Sequence, residues 1–333
     1  GILLFYWRGP SRRAGLVNVD LPGALVLVAG LICLCLGITA GGDTSVAPRA
    51  LGAAPNPLAA YRWPLLAAGL VLLAIFTAVE YCSSNPLVPL SLVARRHFTA
   101  ANLTNFLVGA ALMTAMVNVP LIVVLIVASG RDSTVSAELL AAFSLAMAIT
   151  ALIGGKIADR AGFVISSAFG LVISAIGFYL MSHWSTHLHE GRMAIDLAIA
   201  GAGLGLVLAP VAAAAIDSAR ESDIGIASGL VIVARLLGMT IGISALTAWS
   251  VARLNSALQA LPTITQKPGE SLAHYLQRQE NLATQQAIPA TVHVIRDTFG
   301  VAAVLCLIAI IPVLFLANRE PKTESADEGI EPG

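Results

Sequence analysis

GGKIADRAGF, residues 154–163, is a charged stretch set between two long apolar segments. Its glycines permit sharp turning, so it reads as a short loop joining two membrane helices. Lys156 and Arg160 mark the side that stays in the cytoplasm, and Asp159 can cap or face a helix start, where the macrodipole favours an anion. An ordinary positive-inside loop would account for the same charges, and that alternative stays open.

Working outward, the composition supports the membrane reading. Hydrophobic residues make up 57% of the 333 and charged residues 11%, with zero formal net charge and mean hydropathy +0.84. A soluble domain carries about 25% charged residues, so this is an all-α polytopic membrane protein. No basic excess points to nucleic acid. Cys33, Cys35, Cys82 and Cys306 lie in apolar spans or a cytoplasmic segment, and Cys33-Leu-Cys35 lacks the spacing of a redox or zinc motif, so no disulfide framework is expected.

Apolar runs of about 20 residues, enough to cross ~30 Å of hydrocarbon, recur along the chain. The opening, Gly1 to Trp7 followed by Arg8, Arg12 and Arg13, reads as the end of a preceding helix leaving on the cytoplasmic side, which predicts a chain truncated at its start. Residues 1–20 hold that end and a loop. Residues 21–80 hold two spans, Leu21 to Ala40 and Pro64 to Glu80, joined by an outer loop with Tyr61 and Trp63 as an interfacial belt. A cytoplasmic linker follows over 81–97.

Residues 98–318 hold six further spans. They are placed at Thr99 to Val127 with a kink at Pro120, Ala137 to Gly154, Val164 to Trp184, Ala194 to Ile216, from Ile224 onward, and Thr298 to Ala317. Residues 319–333 read as a flexible cytoplasmic tail. With this topology the cytoplasmic segments carry ten arginines and lysines and the short outer loops only Arg49, Arg62, Arg131 and Arg192, an asymmetry that supports the orientation.

The seventh span carries on past Thr247, so an unbroken helix from Ile224 to Leu261 would run about 57 Å and leave the membrane. Leu272, Tyr275, Leu276 and Leu282 share a helical face beyond it, and Pro289 precedes a second approach to the membrane. An outer helical hairpin over 258–296 is expected, with a long disordered loop as the alternative.

Arg235 lies about 17 Å along the seventh span, near mid-bilayer. A charge there costs at least about 2.5 kcal/mol, so it should face the bundle interior or a wet cavity, or else bond backbone carbonyls as a structural arginine. Asn102, Asn105 and Asn118 are candidates to line the same pathway, with helix packing as the alternative. Gly201, Gly205 and Pro210 suit the sixth span to bending. Asp217, with Arg220, Glu221 and Asp223, could pair with Lys156, Asp159 and Arg160 as an inner gate, or form a solvated turn. Glu138 and Asp196 sit near outer span ends, where a carboxylate favours a helix start. His183, His187 and His189 with Glu190 make a weak metal set, and no metal, cofactor or catalytic constellation is expected.

Gly155, Ile157, Ala158, Asp159, Arg160 and Gly162 match or nearly match G-x-L-A-D-R-x-G-R-K, and the stretch resembles the loop signature of the major facilitator superfamily. Phe163 stands where that family carries a basic residue. With NPLVPLSLVARRHFTAANLTNF, GAGLGLVLAP and GIASGLVIVARLLGMTIGIS, the chain is similar to the C-terminal part of the fourteen-helix drug:proton antiporter branch. The outer extension resembles the mycobacterial branch that exports triacylglycerides and drugs alongside a periplasmic lipoprotein.

The resemblance implies a C-terminal six-helix bundle preceded by two linker helices, in a bacterial inner membrane. It implies proton-coupled efflux of an amphipathic drug or neutral lipid by alternating access, driven by the proton gradient without a cofactor. A missing N-terminal half would complete the cavity and carry the main titrating acid. Arg235 would pair with a carboxylate whose protonation switches the pair between two conformations. The hairpin would guide a lipid or dock its acceptor. The rival reading is a membrane scaffold that holds a periplasmic partner through the hairpin and transports nothing.

Overall fold

The computed structural model describes residues 21–41, 59–82, 92, 94–126, 132–185, 189–259 and 271–316. Residues 1–20, most of 42–61 and of the linker expected over 81–97, residues 260–270 and the tail expected over 319–333 lie outside these. The side chains of Leu272, Tyr275, Leu276 and Leu282 do too.

Among the described residues there are eight α-helices and no strand. They are α1 (Leu21–Gly41), α2 (Arg62–Cys82), α3 (Arg96–Ile126), α4 (Asp132–Ala161), α5 (Phe163–Met181), α6 (Glu190–Asp217), α7 (Ile224–Gln259) and α8 (Leu272–Val313). Helices α2 to α8 each hold a segment long and apolar enough to cross a bilayer, and α1 adds a shorter apolar run, Leu25–Ile38. Because lipid offers no partner to a bare peptide group, an all-helical chain is the expected solution.

The stretch at 154–163 is not a loop. Helix α4 continues through Lys156, Asp159 and Arg160 to Ala161, and α5 begins at Phe163, so Gly162 alone makes the turn. Its φ of 89° lies in the left-handed region that only glycine enters without strain. The amide of Gly162 donates to Ala158 O, and the Ser166 hydroxyl donates to Gly154 O at 3.1 Å, closing the corner from inside. Nothing in Lys156 to Ala161 opposes helix, and the three charged residues there are exposed. Asp159 therefore belongs to the last turn of α4 and does not cap α5. Gly154 serves packing: a Cβ there would stand 2.8 Å from Leu206 O of α6.

Helices α1 and α2 form a hairpin drawn together at Gly37 and Gly69, where a Cβ would meet Leu66 N and Leu34 N at 2.8 Å. Arg62 lies over the Trp63 ring, 5.1 Å from its centroid, and Tyr61 and Trp63 are exposed as an interfacial belt requires. The hairpin touches the remaining helices through α1 on α7.

Helices α4, α5 and α6 form one tightly packed group, while α3 packs on α7 and α8. Helix α3 runs continuously through Pro120 and α6 through Pro210. Helix α7 has 36 residues, about 54 Å, and α8 has 42 residues, about 63 Å. Both outreach a bilayer core of ~30 Å. The last span does not begin near Thr298: α8 is one helix from Leu272, passing Pro289 without a break. A proline forfeits a single backbone hydrogen bond, and such a loss is tolerated where the freed carbonyl finds another partner. The Ser271 hydroxyl caps its start, accepting from His274 N at 3.3 Å. The apolar part of α8 is Pro289–Val313, so residues 272–288, about 25 Å of helix, stand beyond it.

Candidate functional site

Two places along α3 and α7 combine polar groups with burial. The first is at mid-membrane. Gly109 of α3 lies against the Arg235 carbonyl, Gly238 of α7 against the Phe106 carbonyl, and a Cβ on Gly242 would meet that of Ala110 at 2.6 Å. These small residues let the helices approach almost to backbone contact. At that pinch the Arg235 Nε is buried and has no hydrogen-bond partner. One and two turns nearer the start of α3, Asn105 and Asn102 donate to Ala101 O and Phe98 O at 3.3 and 2.9 Å, which leaves each Oδ1 buried and unpartnered. The inner half of the α3–α7 pair thus holds one orphaned donor and two orphaned acceptors. Unmade bonds of this kind cost about 1–3 kcal/mol each, so these three atoms have unused capacity for a polar partner.

The second place is a cavity of about 60 Å³ one turn farther out, between α3, α7 and α8. Asn118 and Thr114 line it from α3, Thr247 and Ser250 from α7 and Thr291 from α8, and the remaining lining residues are apolar. The four residues expected on one pathway therefore separate: Asn118 belongs to this outer cavity, whereas Asn102, Asn105 and Arg235 belong to the inner half. Thr247 and Ser250 were missed in the sequence because hydroxyls in membrane helices ordinarily bond their own backbone. Across the outer ends, Arg253 Nε of α7 stands 3.7 Å from Asp297 Oδ2 of α8, and His293 Nδ1 stands 3.5 Å from the same oxygen.

At the end of the bundle where α4 and α6 finish, Lys156 and Arg160 close α4 while Asp217 closes α6, all exposed. Arg95 Nη1 donates to Ser218 O at 2.5 Å, setting a cation on the C-terminus of α6. His97 Nδ1 donates to Phe315 O at 2.8 Å beyond α8. Gly201 and Gly205 pack on the Phe143 and Met147 carbonyls of α4, so their first consequence is close approach.

Near the outer end Asp196 is buried, 5% exposed, and accepts from Trp184 Nε1 at 2.9 Å. Trp184 also meets Phe299 of α8 edge-on at 5.6 Å, and Arg296 Nε donates to Ser182 O at 2.8 Å. Asp196 is thus a pin between α6, the end of α5 and α8 rather than a charge at a helix start. Among the described residues no group of three potential metal ligands forms. His183 bonds Tyr179 O, and His187 lies outside the described residues.

The chain is 33% identical to a triacylglyceride transporter of Mycolicibacterium smegmatis over 99% of its own length and 59% of that protein's. It is 34% identical to one of Mycolicibacterium hassiacum, over 94% and 59% of the respective lengths. With a probable triacylglyceride transporter of Mycobacterium leprae it shares 34% identity over 93% and 60%. The chain spans about three fifths of the length of these curated relatives. The membrane-spanning helices and these relatives identify a multi-pass protein of a bacterial cell membrane, of a transporter family rather than an enzyme family. Residues 101–332, from α3 to the end of α8 and beyond, match the Major Facilitator Superfamily, and the chain belongs to that superfamily.

Proposed function

We propose that this chain forms part of a proton-coupled exporter that moves neutral lipids of the triacylglyceride type, and amphipathic drugs, out of the cytoplasmic leaflet by alternating access. In this reading α3 to α8 are the moving bundle and α1–α2 a linker pair. The observation that carries it is Arg235, a cation near mid-bilayer whose Nε is buried without a partner. A charge held at that depth is retained for a pathway rather than for stability. Paired with an acid across the pathway, it would make protonation of that acid the switch between two states. Asn102 and Asn105 would supply neutral acceptors beside it. Lys156, Asp159, Arg160 and Asp217 would meet at the inner gate, with Gly201, Gly205 and Pro210 letting α6 flex. The names of the relatives support lipid as the cargo.

The test is efflux from vesicles holding the complete gene product under an imposed pH gradient, followed with a fluorescent acylglycerol and a cationic dye. Arg235→Ala is expected to lower gradient-driven efflux of both at least about tenfold, equivalent to about 1.4 kcal/mol. Efflux that ignores the gradient, or survives the substitution, overturns the reading.

The part of α8 over 272–288 supports a second reading, a scaffold whose outer arm holds a periplasmic lipoprotein. Leu272, Tyr275, Leu276 and Leu282 would then form the docking face. Deletion of that arm would abolish partner capture, with Arg235→Ala leaving it intact.

A further inference from the structure

We propose that the outer cavity between α3, α7 and α8 seats the ester end of one uncharged acylglycerol at the level of the outer membrane interface. The proposal rests on the reading that the protein handles lipid, and it assigns that lipid a place.

Depth comes first. The α7 residues that line the cavity run from Ile243 to Leu254, about 28 to 45 Å from the cytoplasmic start of that helix. Trp249 is exposed on the same segment, where an indole marks the boundary between hydrocarbon and headgroups. Ester carbonyls of bilayer lipids lie at that boundary.

Chemistry comes second. Every polar lining residue is uncharged. Thr114 donates to Ala110 O and Asn118 to Thr114 O, both at 2.9 Å, and elsewhere in α7 Ser228, Thr240 and Ser256 bond their own helix. Thr247 and Ser250 make no such bond, so the cavity offers two hydroxyl donors one turn apart on an otherwise aliphatic wall. An ester carbonyl accepts such bonds without bringing a charge. Of the cations beside the lining residues, Arg253 stands opposite Asp297 and Arg296 donates to Ser182 O, so each already has a partner outside the cavity.

Size comes third. A space of about 60 Å³ holds roughly four or five waters, enough for an ester group and the first methylenes of one chain. The rest of the lipid would stay in the bilayer. Helix α7 packs mainly on α3, and α8 on α3 and α5, with little contact between α7 and α8, which keeps the space open between them.

The experiment places the complete gene product in nanodiscs with a diacylglycerol carrying a diazirine beside its ester, and separately with the matching phosphatidylglycerol probe, then maps the labelled peptides. The diacylglycerol probe is expected to label residues 243–254 or 291–295, and the anionic probe to label them about fivefold less. Thr247→Trp, which fills the space, should remove that labelling. The double variant Thr247→Val with Ser250→Ala, which preserves shape, should reduce it about fivefold if one hydrogen bond near 1 kcal/mol is lost. Equal labelling by the two probes, labelling only elsewhere, or labelling unchanged in both variants overturns the proposal. Labelling that persists without gradient-driven efflux would refute proton-coupled export and leave this site standing. Efflux that persists without the labelling would do the reverse.

Discussion

Helices α4, α5 and α6 are closed along their length, whereas α3 and α7 close only in their inner half and part where the outer cavity begins. Membrane helices gain little from burying apolar side chains against one another, since lipid is equally apolar, so residue size decides where they meet. In the closed group glycine recurs at successive contacts: Gly154 on Leu206, Gly170 on Gly203, Gly177 on Ala200, Gly201 on Phe143. In the parted pair the last glycine contact is at Gly242. Just beyond, the larger side chains of Met113, Val117, Ile243 and Leu246 line the cavity between the helices. The difference is one of side-chain volume along a single direction, and it places rigidity in one region and space in the other.

The comparison can be broken most severely at the centre of the closed group. Gly203 lies against the backbone of Ser174 and Gly170, and Gly203→Leu is expected to cost about 3 kcal/mol through overpacking, read as a lower unfolding midpoint in detergent. An unchanged midpoint would mean the group is not closed there. Next comes the outer pin. Trp184→Phe keeps the ring against Phe299 but leaves the buried Asp196 without its donor, at an expected cost of about 2 kcal/mol. Adding Asp196→Leu should recover part of that loss in the same unfolding assay, because the stranded acid is gone. The smallest effect sharpens the contrast. Gly229 has nothing within 4 Å of the Cβ it lacks, so Gly229→Ala should stabilise α7 by up to about 1 kcal/mol, whereas Gly238→Ala, set against Phe106 O, should destabilise it. Equal responses would remove the distinction between a packed and an open face of α7.

That pair of glycines also shows what the sequence made legible. Gly225 with Gly229 and Gly238 with Gly242 have the same spacing, yet only the second pair packs on α3, because spacing defines a face without naming its neighbour. The helical class was readable from hydropathy and segment length, which are set by the bilayer. The length of α7 was readable because nothing in Thr247 to Gln259 ends a helix. The turn at Gly162 was misplaced, since charged residues signal an exposed face and do not by themselves stop a helix. Pro289 was read as a boundary, though a helix can carry it. Asn118, Thr247 and Ser250 come together from two helices far apart in sequence, and no local pattern records that meeting.

An α8 unbroken from Leu272 to Val313 is a single stiff rod crossing the bundle and reaching past it. Its membrane half is buried against the other helices from Val292 to Val313 and is fastened at Trp184 against Phe299 and Arg296 on Ser182. Residues 272–288 continue that anchored half without a joint, so the direction in which they leave the bundle is set by packing some tens of ångströms away.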